Sequence, residues 1–321
     1  MKIPSLAMSR IALSHIDFDD RTYSLRPEGD DELPANFLGS LTRCGLLHPP
    51  IVQDRGNDRF LIVSGRRRLR AVRDVLREAS CICLIMPGDS TNLEALRMAL
   101  EEGLLGPPWS PVMKANYLKK IVTLVGQEET VRSFLPRLDI TPQQYHLDKL
   151  LSLAELEAPL PMAIQQGRIA EKTAYELGRL SFRDRLALFD LIISLKLSVG
   201  NQRQIIAICN ELAKRSSTTV HTILTAPDIL EILNSKDCNP PQQTARLMKV
   251  LQARRSPRLT AANQEFADLQ NRLNLPQWAE ISHSPSFEKD QVSLHLNFAN
   301  QKKLEKFCRR FLERKADLAD H

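Results

Sequence analysis

No stretch of this 321-residue chain is apolar for the roughly 20 residues that a membrane-spanning helix requires, so no membrane segment is expected. Residues 1–5 lack the apolar core of a secretory signal. Cysteine is sparse and scattered: Cys44, Cys81, Cys83, Cys209, Cys238 and Cys308. Only Cys81 and Cys83 are close, and within 81–86 they read as alternate positions on a strand. With no second Cys/His pair at ligand spacing, a zinc site is not expected, and the thiols read as small hydrophobes in a reducing cytoplasm. His283 and His295 fall on expected strands with no third ligand in view. Charge is not of one sign: 44 basic and 38 acidic residues give a net +6. That balance permits an acidic polymer as partner without requiring one. At 43% hydrophobic and 26% charged the chain is globular rather than disordered, and its length suggests two or three domains.

What is present is concentrated in one place. Leu46-Leu47-His48-Pro49-Pro50-Ile51-Val52 leads into a short apolar strand, Phe60-Leu61-Ile62-Val63. Ser64-Gly65 follows, and then a helix opened by Arg66, Arg67, Arg68 and Arg70. Glycine allows a sharp turn and close approach of the backbone to a ligand. The helix start adds free N–H groups and a positive dipole end. Four arginines there oppose the dipole's preference for acids, so an anion, above all phosphate, is the expected partner. A solvated basic surface fits the same residues.

Three motifs carry a family resemblance. Residues 38–41 with 45–52 are similar to the "SI…GLLQPIVV" box of the ParB partition proteins, and Gly65-Arg66-Arg67-Arg68-Leu69-Arg70-Ala71 resembles their "GERRxRA" box. Residues 102–111 match the spacing of "ENLQRxxLxP", with Pro111 nine positions after Glu102. Arg66 stands for the second box's glutamate, while Gly103 and Gly106 stand for the third box's asparagine and arginine. The resemblance implies a pocket for CTP and Mg²⁺ in a small α/β domain. Its nucleotide would lie along Gly45, Ser64, Gly65, Arg66, Arg67, Arg68 and Ala71, with Glu102 as metal ligand and catalytic residue. Arg66 would replace some of the lost positive charge. Any activity implied is at most weak CTP hydrolysis: one carboxylate suffices to hold the metal, but the asparagine and arginine of the third box are lost.

The expected architecture is α+β and multidomain: a ParB-like α/β domain over 1–100, an all-α middle over 101–215, a linker over 216–262 and an α+β dimerisation module over 263–321. In the first, Ile11-Ala12-Leu13 and Tyr23-Ser24-Leu25 read as edge-like strands. A helix over 33–44 has Asp30, Asp31 and Glu32 at its start, Pro34 in its first turn and Gly45 after its end. Gly56-Asn57-Asp58 signals a hairpin between two strands. In the middle, 92–102 is helical, Ser110 caps a helix opened by Pro111, and 128–135 is followed by a helix over 142–153. Thr141 would cap that last helix, with Pro142 at its first position. The pair suits a helix-turn-helix whose Gln143, Gln144, His146 and Lys149 contact double-stranded DNA. An ordinary helical hairpin fits equally. Asp139 stands where the family's turn carries glycine.

In the tail, Ile281-Ser282-His283 and 291–298 read as paired strands, with Val292, Leu294, Leu296 and Phe298 on one half-buried face. A helix over 302–314 places Leu304, Phe307, Cys308, Phe311 and Leu312 on one side. So small a unit needs a second copy to cover it. The resemblance therefore implies a cytoplasmic, nucleoid-associated homodimer that closes on DNA as a CTP-responsive clamp, with a ParA-like ATPase as a further partner. Two other readings stay open. One is a DNA-binding or adaptor protein whose pocket has decayed, as Gly103 and Gly106 suggest. The other is a sulfiredoxin-like phosphotransferase using Ser64 or Cys44 as nucleophile, for which the sequence offers no activating base.

Overall fold

The computed structural model describes residues 5–30, 32–284 and 291–319, with side chains to residue 310. Residues 1–4, Asp31 and the side chains of Phe311 and Leu312, all used in the sequence reading, lie outside the described residues. The chain divides into two compact units, Met1–Arg203 and Gln204–His321.

The first unit opens with a five-stranded mixed sheet. Its elements are β1 (Ala7–Ala12), β2 (Ile16–Asp17), α1 (Ala35–Cys44), β3 (Ile51–Asp54), β4 (Phe60–Ser64), α2 (Arg66–Asp74) and β5 (Ser80–Met86). The strand order is β1-β5-β3-β4-β2. The β1/β5 and β3/β4 pairs are antiparallel, and β5/β3 and β4/β2 are parallel. Val52, Ile62, Leu69, Val72 and Cys83 are buried in one core cluster. Leu69 and Val72, three residues apart on α2, are the helix's contribution to it. Removing such a side chain from a close-packed core typically costs about 2–5 kcal/mol. The hairpin at Gly56-Asn57-Asp58 has positive φ at all three positions, as its composition suggests.

Two readings of this region need correction. The stretch 23–25 is not a strand. Tyr23 and Leu25 are buried anchors of a loop, and the Tyr23 hydroxyl donates to Gln53 Oε1 at 2.7 Å. Burial pushes that hydroxyl's pKa up. Pro34 is the extended residue before α1 rather than a member of its first turn, a one-residue difference at a helix end.

Helices follow. They are α3 (Asn92–Leu104), α4 (Pro111–Val125), α5 (Gln127–Glu129), α6 (Gln144–Ala154), α7 (Leu160–Gln165), α8 (Glu171–Gly178), α9 (Phe182–Ser194) and α10 (Val199–Arg215). Thr91 and Glu94 form a capping box on α3, and Ser110 caps α4 with Pro111 at its first position. The helix α5 continues as a π-helical turn over Thr130–Phe134 and a 3-10 turn over Pro136–Leu138.

The second unit takes in α10 from Gln204 onward, then α11 (Val220–Leu224), α12 (Pro227–Asn234), α13 (Pro240–Arg255), α14 (Pro257–Leu273), β6 (Ala279–His283), β7 (Val292–Leu296) and α15 (Gln301–Ala319). The 216–262 stretch, read as a linker, therefore holds three complete helices, with Val220, Ile229, Leu247 and Leu251 buried. The polar and proline residues of this stretch are helix starts: Thr219 and Asn239 are caps, and Pro240 and Pro257 occupy first turns. Strands β6 and β7 pair antiparallel. The face expected to be half-buried is open, with Val292 at 55% and Leu294 at 56% exposure. Trp278, Phe298 and Phe307 form a ring cluster, with Phe298 5.2 Å from Phe307.

Candidate functional site

The turn between β4 and α2 shows why Gly65 is there. Its φ is +90°, a left-handed conformation that disfavours any side chain, and a Cβ would fall 2.7 Å from Pro50 Cβ. The strand thus hands directly to a helix whose first turn holds no acid and whose first amides have no intrahelical partner. A cleft of about 1040 Å³ lies against this turn, walled by Ser64 to Arg68, Glu102, Gly103 and Trp109 among others.

The three sequence motifs converge on Arg68. One of its nitrogens donates to the His48 carbonyl at 3.0 Å and to that of Pro49 at 3.4 Å. The other pairs with Glu102. The second Glu102 oxygen accepts from the Ser64 hydroxyl. Arg67 reaches Asp30 at 3.1 Å, and Arg26 reaches the same carboxylate at 2.7 Å. Two guanidinium groups thus share one carboxylate that is 8% exposed. Burial first, and Arg26 next, hold the Arg67 pKa below its usual value, against Asp30 and Glu32. Its Nε is buried with no hydrogen-bond partner. Arg66 donates to the carbonyls of Phe18 and Asp20, tying α2 to the loop after β2.

Of the predicted nucleotide residues, Ser64, Gly65, Arg66, Arg67 and Arg68 line the cleft together with Glu102, the predicted metal and catalytic residue. Gly45 and Ala71 are not brought to it. Gly45 ends α1 with φ +68°, and Ala71 is fully buried under α2. Cys44 is exposed on α1's last turn, away from the cleft wall. The cradle over Gly65 and the unpartnered Arg67 Nε fit a phosphate group. For Mg²⁺ the donor set is thin. Among the described residues no three His, Cys, Asp or Glu side chains form a metal-holding group. A metal here would take most of its ligands from phosphate oxygens and water, with Glu102 as the protein carboxylate.

The third motif departs from its pattern for a visible reason. A Cβ on Gly103 would fall 2.6 Å from Trp109 Cε2, so the indole edge occupies the space that a side chain at 103 needs. The ring stands edge-on to Tyr117 at 5.3 Å.

The turn before α6 places Asp139 in the left-handed region, φ 57°, which Asp tolerates better than most residues. Helix α6 starts two residues later than expected. Gln143, not Thr141, occupies the cap position, with no side-chain cap bond. Gln143 and Gln144 are exposed, as is Tyr145 at 58%. Gln144 donates to Asp148 at 2.7 Å and to Gln127 at 3.0 Å. His146 stands edge-on to Tyr145. Lys149 Nζ sits 4.2 Å over the Tyr175 ring, which spends part of its charge on an aromatic face. A smaller cleft of about 320 Å³, lined by Trp109, Asp139, His146, Lys149 and Tyr175 among others, lies against this turn.

Sequence reasoning missed Arg26, Trp109 and Tyr145, and valued Asp30 only as a helix-start charge. The signal for Trp109 was its rarity, one of two tryptophans, beside two departures from the third motif.

No family model matches the chain. It is similar to the probable chromosome-partitioning protein ParB of Campylobacter jejuni, 28% identical over 181 residues, 56% of this chain and 62% of that protein. It is similar also to the chromosome-partitioning protein Spo0J of Thermus thermophilus, 31% identical over 192 residues, 58% of this chain and 66% of that protein. The chain thus spans about three fifths of the length of these curated relatives. Among solved structures, the C-terminally truncated ParB of Caulobacter crescentus complexed to the centromeric parS site covers 60% of this chain and 96% of its own, at 18% identity and a TM-score of 0.33.

Proposed function

The chain belongs to the ParB family, and on that premise we propose that it is a DNA-binding partition protein that closes as a CTP-responsive dimeric clamp. The observation that carries the proposal is the half-buried arginine box: Arg67, with an unpartnered Nε, beside the Gly65 turn at the start of α2. In this reading the first amides of α2 and the guanidinium groups of Arg67 and Arg68 hold the triphosphate. Ser64 and Arg68 hold Glu102 in place, and Glu102 serves an accompanying Mg²⁺. Nucleotide binding more tightly to the closed state shifts the population toward it.

Residues 1–100 then form the nucleotide domain and 101–215 the DNA domain, with Gln143, Gln144 and His146 at the groove. Residues 263–321 pair two copies through the open apolar face of β7. A ParA-like ATPase would act on the assembled dimer. Deleting 263–321 should give a monomer by light scattering, and a persistent dimer would move the interface elsewhere.

The test is calorimetric titration of CTP with Mg²⁺ into the full chain, with ATP and GTP as controls. Selective CTP binding supports the clamp. No binding of any nucleotide, with DNA affinity retained, selects the second reading, a DNA-binding adaptor with a decayed pocket. The indole packed on Gly103 favours that second reading, because it takes the space of the third motif's asparagine.

A further inference from the structure

Trp109 lines both of the clefts described above. It lines the arginine-box cleft beside Glu102 and Gly103, and it lines the smaller cleft beside Asp139, His146 and Lys149. Between them its ring touches two elements. Its edge rests on Gly103, one residue from the carboxylate that holds Arg68. Its ring centroid is 5.3 Å from that of Tyr117, which is fully buried and lies 6.4 Å from Phe134. Phe134 ends the π-helical turn that leads into the turn before α6. A contiguous row of rings therefore runs from the end of α3 to the π-helical turn that precedes α6. The segment carrying Trp109, residues 105–110, is held at its far end by Ser110, which caps α4 and bonds to Gln165.

We propose that Trp109 is a positioning residue that couples the arginine-box cleft to the turn and helix at 139–150. The inference rests on the nucleotide-binding reading for its ligand but not for its mechanics. Trp109 is half-buried between the two clefts, but the Tyr117 ring that it abuts is fully buried in a close-packed interior, which is nearly incompressible, so on that side displacement of the indole is passed on rather than absorbed. An anion at Arg67 and Arg68 competes for the arginine that holds Glu102. Any shift of Glu102 moves the last turn of α3, and with it the Gly103 backbone on which the indole edge rests. The glycine is what allows the indole to approach; a side chain there would hold the ring off. Trp109 thus biases an arrangement that both sites share, which is what energetic coupling requires.

The test is hydrogen exchange of the full chain in two arms. In the first, CTP with Mg²⁺ should protect residues 65–70 and change exchange over 139–150 by several-fold. In Trp109→Ala, and more mildly in Trp109→Phe, the protection at 65–70 should persist while the change at 139–150 falls to a third or less. An undiminished response at 139–150 in Trp109→Ala overturns the coupling. No protection at 65–70 in the unsubstituted chain overturns the nucleotide reading instead. The second arm uses no ligand. Gly103→Ala forces the indole to move and should alter exchange at 139–150 by several-fold, whereas Gly103→Ala added to Trp109→Ala should alter nothing further there. Equal effects of Gly103→Ala with and without the indole overturn the wedge, whatever the first arm shows.

Discussion

The start of α2 and the start of α6 are both helix N-termini read as binding sites, yet they are built in opposite ways. At α2 nearly every polar group has a protein partner. Arg68 holds Glu102 and two carbonyls, Arg66 holds two more, and Arg26 with Arg67 holds Asp30. At α6 Gln143 and Tyr145 face solvent, the exposed Gln144 bonds only to the surface side chains of Asp148 and Gln127, the cap has no side-chain bond, and the lysine lies over a ring. A tied site couples binding to folding, since a ligand must exchange contacts that also hold the domain together. A loose site can change its contacts without touching the core. DNA recognition is suited to the second arrangement and an anion-responsive switch to the first.

The contrast can be broken or sharpened by substitution. Gly65→Ala should have the largest effect. It combines a left-handed backbone with a Cβ pressed on Pro50, and should cost about 3 kcal/mol in denaturant unfolding. Nucleotide binding should be lost with it. A loss of binding at unchanged stability would show that the turn is not integral to the fold. Arg68→Ala comes next. It frees a part-buried Glu102, and should cost about 1–2 kcal/mol, discounted for the pair's partial exposure. It should also weaken CTP binding about tenfold by calorimetry, and unchanged affinity would remove the pocket hypothesis.

At α6 the expected pattern inverts. Gln144→Ala should leave unfolding within about 0.5 kcal/mol while lowering affinity about tenfold for a duplex that the protein itself selects from a random pool. Destabilisation beyond about 1 kcal/mol would mean that this helix start is as tied as the other. Lys149→Ala should be the smallest change. Its ammonium lies over Tyr175, so the salt dependence of DNA binding should lose less than the slope of about one that a full phosphate contact gives. A full unit lost would place the ammonium on phosphate in the complex.

How much of this was legible follows from what each feature depends on. The strand-glycine-arginine order was legible because it is local: Phe60 to Val63 are apolar, Gly65 turns the chain, and the arginines follow. The cap at Ser110 was legible for the same reason, whereas the capping box of Thr91 and Glu94 came only with the structure. The partners of the arginines were not. Asp30 lies 37 residues from Arg67, and Glu102 lies 34 from Arg68, and no local pattern fixes such pairs. Trp109 could be seen in the sequence, but its seat on Gly103 is a matter of packing. The 216–262 stretch misled because a capping polar residue followed by proline reads equally as a loop and as a helix start.

The seat of Trp109 on Gly103 also orders the substitutions by which this cleft could change. A chain carrying the indole cannot accept a side chain at 103 without displacing the ring, so asparagine there is admissible only after position 109 has become small. A tryptophan arriving at 109 likewise needed glycine in place beforehand. The two positions are therefore ordered: the indole excludes a side chain at 103 and a side chain at 103 excludes the indole, so relatives should not carry both together.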